Sequence, residues 1–574
     1  MKTRLSRRFA VVVLVGGLIL SACDGQGDFA VRPAVADASS GGTIAVGIDR
    51  PGAIDPGTVY EPAGQFIVRT MCDTLLQQDP LTGELVGGLA ESWIITDLGN
   101  KFTIRLRDDL KFSNGVAVTA DDVVRSLSRI ASQDYASGVQ DLLILIDGFD
   151  EISGRIEADR DEDLDSLRGL RVIDSRSFEI RLKAVQGTSI RFPDFLRAFT
   201  HPATSPINAA VVRDDPEAMA EAPICVGPYQ LAEPWSGGDR ITLVRSTAYT
   251  PANGAYTSGG TGYADQIIFK LYDTADERQD AFADGEVDVT VVDPMSVGAI
   301  RRRFDDDIQT GLSGSVEYIG LPAGADSAWN SPAIRVAFSM ALDRRGIVSR
   351  AFGRTAEPAT TFYPPTLGPE FYVEDACKSH TPLGPDVDGA REVLAQAGID
   401  LSTKPTLTLH YNDEGGYPTM ARIVAQSWRD AFGIDVELEP MPWDDYLEEA
   451  TSNKGFDGAF RMSWRPDYPG PDQYVNGLFT EGGAGQSNWA HFADPELTLA
   501  LSREVRRNDV DADIRVEYRR FESDGLCDRM PMIPVAYGTQ STAIDTSRIG
   551  PANGRYLDAG TGLPLVRELF VRAP

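Results

Sequence analysis

Apolar residues alternate with small or polar ones from Gly42 to Ile48, a period of two that predicts a first strand. Asp55-Pro56-Gly57 then turns the chain into a segment that reads as helix from Gly64 to Leu76. The period of two returns at Lys101-Phe102-Thr103-Ile104-Arg105-Leu106-Arg107, and Lys111-Phe112-Ser113-Asn114-Gly115 supplies an Asn-Gly turn, so together they predict a hairpin. In Thr119-Ala120-Asp121-Asp122 the threonine can cap a helix, the acids suit its positive end, and Val123, Val124 and Leu127 give it a buried face as far as about Ser132. Later strands are predicted at Val172 to Leu182 and Ile267 to Tyr272, and helices at Ser331 to Phe352, Gly389 to Ala397 and Pro418 to Phe432. Mixed α/β architecture follows. The clearest loops, Gly254 to Gly262 and Thr480 to Gly485, are too short to separate domains by a simple linker, so several chain crossings between lobes are expected.

The first residues break this pattern. Lys2, Arg4, Arg7 and Arg8 precede an apolar run from Phe9 to Leu20, the arrangement of a signal peptide, and the run is too short for a comfortable membrane span. It ends in Leu20-Ser21-Ala22-Cys23, which resembles the bacterial lipobox. The expectation is cleavage after residue 22, lipidation of Cys23, and a flexible tether through residue 41 rich in Ala, Ser, Gly, Pro and Asp. The competing reading is an ordinary signal peptide with an incidental cysteine. Arg7-Arg8 raises a twin-arginine route, but the residues that follow favour general secretion. No later segment offers roughly 18 consecutive apolar residues, so lipid alone is expected to hold the chain to a membrane.

Length and charge narrow the class. At 574 residues the chain exceeds the roughly 100 to 200 typical of one domain, so two or more lobes are expected. The net charge is −31, or −35 once the four leader cations are removed. Such a surface repels nucleic-acid phosphates and anionic lipid, and it favours neutral or cationic ligands; it also serves simply to keep an exported protein soluble. With Cys23 lipidated, Cys72, Cys225, Cys377 and Cys527 remain, an even count that permits two disulfides in any of three connectivities. His201, His380, His410 and His491 are scattered, no close Cys or His pair has zinc-ligand spacing, and no metal or other cofactor is expected. The chain contains no phosphate loop, Gly-x-Ser-x-Gly elbow or His-Glu-x-x-His helix. An extracellular hydrolase using carboxylates such as Asp305-Asp306-Asp307 or Glu448-Glu449 is the alternative from another class, but such runs ordinarily form solvated faces, and no enzyme is expected.

Several motifs, in order, are similar to those of the family-five extracellular solute-binding proteins, receptors of dipeptide, oligopeptide and nickel ABC importers. They are Gly88-Leu89-Ala90-Glu91-Ser92-Trp93, the Lys101 to Arg107 strand, Leu110 to Gly115, Thr119 to Val124, Val226-Gly227-Pro228-Tyr229, Arg335 to Arg344, and Trp464 through Tyr474. The resemblance covers nearly all of the mature chain. Trp93, Phe112, Gly115 and Thr119 read within it as builders of the lobe: apolar plugs, a turn and a cap. It implies an α/β, two-lobed periplasmic-binding-protein fold of type II, cluster C-like, with an extra subdomain inserted in lobe one. On that pattern lobe one combines 42–72, 201–312 and 535–574, the insert spans 73–200, and lobe two runs from 313 to 534. Cys72 is then expected to pair with Cys225, both near one lobe, which leaves Cys377 for Cys527.

The resemblance also implies a function: a monomeric lipoprotein at the outer face of the cytoplasmic membrane, closing its lobes over a peptide and delivering it to an ABC permease with cytoplasmic ATPase subunits. In Phe460 through Pro471 it places Asp467 on the peptide's α-ammonium, Trp464 beside it, and Arg461 three residues earlier where a carboxylate could be met. Trp443 is placed beside the cleft from lobe two, and Tyr135, Tyr60 and Glu61 from lobe one. Core packing for the tryptophans and turn capping for Asp467 are the competing roles. Gly470 stands where a second acid is common, which leaves dipeptide specificity in doubt. A nickel or metallophore receptor, an oligosaccharide receptor and a sensor that signals through a membrane partner are the alternatives on the same fold.

Overall fold

The alternation that begins near Gly42 buries Ile44, Val46 and Ile48 in strand β1 (Thr43–Asp49). The computed structural model describes residues 38–79, 84–97, 100–135, 137–155, 166–183, 193–214, 216–250, 262–294, 296–323, 327–353, 355–452, 455–479, 488–492, 494–497 and 514–573. Residues 1–37, Cys23 among them, the expected loop 480–485 and all but the last residue of the expected loop 254–262 lie outside them. After β1, helix α1 (Pro62–Met71) opens on Glu61, whose carboxylate accepts from the Gly64 backbone N–H and satisfies an otherwise orphaned donor.

Strands β2 (Ala90–Thr96) and β3 (Lys101–Leu106), helix α2 (Ala120–Ala131), and strands β4 (Leu170–Asp174) and β5 (Ser177–Arg181) form a four-stranded antiparallel sheet, order β2-β3-β5-β4, with a helix against it. Thr119 and Asp122 close a reciprocal capping box at the start of α2, an arrangement worth about 1 kcal/mol. The hairpin expected after residue 101 does not form as read. Both edges of β3 are taken by β2 and β5, so the Asn114-Gly115 turn joins only the single bridge Lys111↔Ala117, with Gly115 at φ 83°. The single strand expected from Val172 to Leu182 is two, because Asp174 accepts the Arg176 N–H and folds the chain back.

Strands β6 (Tyr229–Leu231), β7 (Arg240–Arg245), β8 (Gln266–Tyr272), β9 (Val289–Val292) and β10 (Ile308–Gly320) are followed by helix α3 (Pro332–Met340). Then come β11 (Leu407–Asn412), α4 (Tyr417–Phe432), β12 (Val436–Met441), α5 (Trp443–Thr451), β13 (Ala459–Trp464), α6 (Pro471–Phe479) and β14 (Met532–Ile544). The helix expected from Ser331 to Phe352 breaks after α3. Asp343 caps a new turn at Arg344–Ile347, and the buried Arg344 guanidinium donates to the carbonyls of Ser339, Pro382 and Pro534. One sheet orders its strands β12-β11-β13-β10-β14-β9-β1-β8-β7-β6, with Ala356–Pro358 added on β14.

Two lobes emerge from how this sheet is packed. One core gathers residues from Ile44 to Val289 together with Ile544, Val566 and Leu569, and it includes the interior of the small four-stranded sheet. The other gathers residues from Val316 to Tyr537, with Trp428 stacked on Phe338 at 4.5 Å. Among the described residues only β10 and β14, 13 residues each, run through both halves of the sheet. Their register shifts between Leu312 and Val316, where Gly314 takes φ 77°, and a bulge of this kind bends a strand pair. No helix among the described residues is long and apolar enough to cross a membrane.

Candidate functional site

Strand β13 lies between β10 and β11, pairing Arg461↔Ile319 and Trp464↔Val316 on one side and Ala459↔Leu409 on the other. Side chains alternate across a strand, so Arg461 and Ser463 share a face with Glu317 while Met462 and Trp464 take the opposite one. Arg461 and Glu317 are buried together, Nη2 to Oε2 3.6 Å, and the guanidinium lies 3.4 Å from the Tyr417 ring centroid. Arg461 thus spends its charge inside the second lobe. Burial pushes the Glu317 carboxyl above its usual range, with Arg461 pulling the other way. The Trp464 indole Nε1–H is buried and meets no acceptor among the described residues.

Beyond β13 the segment Arg465 to Gly470 turns into α6. Tyr468, 5% exposed, inserts its ring into the first core, and its hydroxyl donates to the Asp472 carboxylate. The Asp467 N–H donates to Gln473 Oε1 at 3.2 Å. Any Cβ at Gly470 would lie 2.3 Å from Asp472 Oδ1 and 2.8 Å from the Tyr468 ring, so a side chain there would have to displace them. The Asp467 side chain is exposed and accepts no hydrogen bond from the described residues. Surrounding protein, and then Asp141 of the first lobe, raise its pKa. Asp141 itself is paired with Arg155 at 2.5 Å. Carboxylates that disfavour each other's charge are relieved by a bound cation.

Tyr135 donates its hydroxyl to Asp55 Oδ2 at 2.6 Å, and its ring lies 3.7 Å beneath the Arg129 guanidinium, which also pairs with Asp55. This arrangement fastens the start of the segment that leads to Asp141. Tyr60 is 69% exposed and packs its ring on Gly138, where a Cβ would come within 3.1 Å. Glu61 commits Oε1 to the Gly52 and Gly64 N–H groups. Trp443, 37% exposed, opens α5 and stacks on Tyr446, whose hydroxyl donates to the Arg461 carbonyl at 2.5 Å. The structure therefore brings Trp443, Arg461, Trp464 and Asp467 around one strand and sets Tyr135, Tyr60 and Glu61 together on the other lobe. Sequence reading did not single out Asp141, one acid among many, which lies in the short helical turn Gln140–Leu143 and whose charge reaches Asp467. Cys72 joins Cys225 and Cys377 joins Cys527, with Sγ–Sγ distances of 1.96 and 1.88 Å. No group of three or more His, Cys, Asp or Glu side chains among the described residues could hold a metal ion.

A bent sheet carrying two lobes, with charged side chains at the crossing, defines a two-lobed solute-binding protein. The chain belongs to the bacterial extracellular solute-binding proteins, family 5, whose model matches residues 84–486. It is 25% identical to the periplasmic oligopeptide-binding protein OppA of Salmonella typhimurium over 80% of this chain and 81% of that one. The dipeptide-binding protein DppE of Bacillus subtilis is 24% identical, covering 79% and 78%. Among solved structures, the unliganded open form of the murein tripeptide-binding protein MppA superposes with a TM-score of 0.77 at 21% identity, covering 93% of this chain and 98% of that one. The clavulanic acid biosynthesis oligopeptide-binding protein 2 superposes with a TM-score of 0.73 at 20% identity, covering 93% and 96%.

Proposed function

We propose that this protein is the peptide receptor of an ABC importer, closing its lobes on a peptide whose α-ammonium is held by Asp467. The observation that carries this reading is the exposed Asp467 carboxylate, which accepts no hydrogen bond from the described residues and whose charge is disfavoured by Asp141, so that a cation bound there is favoured. Relatives named as oligopeptide- and dipeptide-binding proteins support it. In this reading the Trp464 N–H donates to a peptide carbonyl, the rings of Tyr60 and Trp443 flank the cleft, and Glu61, Tyr135 and Arg461 hold its walls in place. The lobes are 42–72, 201–312 and 535–574 for the first, with 73–200 inserted, and 313–534 for the second. Bending at the bulge around Gly314 closes them. The receptor works as a monomer without enzymatic activity, and lipid on Cys23 keeps it at the outer face of the cytoplasmic membrane beside its permease.

Titration calorimetry with trialanine and N-acetyl-trialanine tests the site. Asp467→Ala is expected to weaken the free-amino peptide about 10- to 150-fold, the value of a charge-assisted hydrogen bond of roughly 1.5–3 kcal/mol, and to leave the acetylated peptide nearly unchanged. Equal losses for both peptides would remove Asp467 from the role.

A further inference from the structure

The segment from Arg465 to Gly470 leaves the second lobe and comes back to it. Trp464 before it packs against the second core, and Tyr474 and Val475 after it are buried there. Tyr468, in the middle of the excursion, is buried in the first core instead, the one described residue between 313 and 534 that is. Its hydroxyl stays with its own lobe, donating to the Asp472 carboxylate in the first turn of α6. The polar end of Tyr468 is thus satisfied from lobe two while its apolar ring is lodged in lobe one. Such a contact can be made and broken without exchanging a hydrogen bond. The excursion is also braced. Pro466, Pro469 and Pro471 each fix a φ angle, the Gly470 N–H donates to the Tyr468 carbonyl at 2.8 Å, and the Gln473 N–H donates to the Gly470 carbonyl at 3.1 Å. Gly470, standing where the family resemblance leads one to expect an acid, leaves room for the ring, which a Cβ would approach to 2.8 Å. Just beyond the loop, Tyr474 donates its hydroxyl to the Gly314 carbonyl at 2.5 Å, so the returning end is fixed to the bulge where the sheet bends.

We propose that Tyr468 is a clasp between the lobes: its ring enters the first lobe as the cleft closes on a peptide and leaves it as the cleft opens. Tyr468 is then a positioning residue for binding that does not touch the ligand. The proposal rests on the peptide reading above and adds the device that couples the anchor to closure. Asp467, exposed, and Tyr468, buried, are neighbours in one braced loop, so holding a peptide on the first and seating the ring of the second are linked events. Asp141 of the first lobe disfavours the charge on Asp467, and a bound ammonium removes that opposition to the loop's approach. The ring then buries apolar surface whatever side chains the peptide carries. Its effect falls on all ligands alike, because the apparent dissociation constant scales inversely with the fraction of receptor able to close.

Calorimetry on the full mature chain with trialanine and N-acetyl-trialanine, joined to small-angle X-ray scattering, tests the clasp. Tyr468→Leu, which removes the ring but stays apolar, is expected to weaken both peptides by the same factor, about tenfold. Asp467→Ala differs in kind, since its loss falls on the free-amino peptide. Tyr468→Phe keeps the ring and should stay within about threefold of the wild type, whereas Gly470→Ala crowds the ring and should weaken both peptides together. Saturating trialanine should lower the radius of gyration of the wild type, and Tyr468→Leu should lose most of that compaction. Wild-type affinity or wild-type compaction in Tyr468→Leu overturns the clasp, and so does a loss confined to trialanine, which would make Tyr468 a support for Asp467 alone; the Asp467 reading survives each of these. Failure of Tyr468→Leu to fold, or a fall of several degrees in the unfolding temperature of the ligand-free protein, would mean that Tyr468 serves the fold instead. Failure of the wild type to bind either peptide overturns the clasp and the peptide reading together.

Discussion

Arg197 and Glu370 bind the two lobes to each other, and their contribution can be worked from the structure. Arg197 lies in a segment whose Phe195, Leu196 and Phe199 pack in the first core, whereas Glu370 precedes Phe371 of the second. Nη2 to Oε1 is 2.5 Å, the side chains are 4% and 14% exposed, and the guanidinium also lies 5.1 Å from the Phe371 ring centroid. At an effective dielectric constant of about 20 the gross attraction at this distance is about 7 kcal/mol, most of it offset by desolvation of both charges. Removing one partner of a buried pair costs about 3–5 kcal/mol, because the other charge is left uncompensated. Arg515, half-exposed and 3.5 Å from Glu370 Oε2, can cover part of that loss, which puts Arg197→Met near the lower end. Urea unfolding of the ligand-free mature chain is the assay, run on Arg197→Met, Glu370→Gln and the double variant. Each single variant should lose about 3 kcal/mol and the double variant about 2 kcal/mol less than their sum. Effects that add to within about 0.5 kcal/mol would mean that the two side chains do not interact energetically, and the account of the lobe contact would fall.

Two other outcomes are open to measurement. Glu522 is fully buried, Oε1 accepts the Phe362 and Tyr363 N–H groups, and burial pushes its pKa to about 8 against the restraint of those two bonds. An acid with a raised folded-state pKa binds its proton more tightly when folded, so its stabilisation is complete below the unfolded value near 4.5 and is lost as pH rises through about 8. The unfolding free energy of the wild type in urea titrations should fall over that window by an amount on the order of a few kcal/mol, and Glu522→Gln, which keeps the acceptor, should flatten the fall; an identical slope in the variant would rule out Glu522 as its source. Cys23→Ser should release the receptor into the medium with its peptide affinity intact, as measured by cell fractionation and calorimetry, and retention at the membrane would dismiss the lipid anchor.

Local chemistry was legible where neighbours in the chain suffice. Thr119 and Asp122 cap α2 because both partners lie within one turn, and the alternation at Lys101 to Leu106 marked a strand whichever strands would pair with it. Motif order was enough to point to the family and to the Trp464 to Asp467 segment. Long-range pairing was not legible in the same way. Reading could not see that β2 and β5 would take both edges of β3, or that Asp343 would restart a helix around a buried Arg344, whereas the expected pairing of Cys72 with Cys225 and of Cys377 with Cys527 did form.

The amino-acid sequence by itself determined the periods of strand and helix, the local caps, and the residue types available to a cleft, because these depend on contacts within a few residues. Only the tertiary structure decided what each charge does. Arg461 and Arg465 are four residues apart and alike as residues, but one is buried against Glu317 while the other is exposed. The neighbour that makes this difference, Glu317, is far away in the chain, and burial sets how strongly each charge is felt.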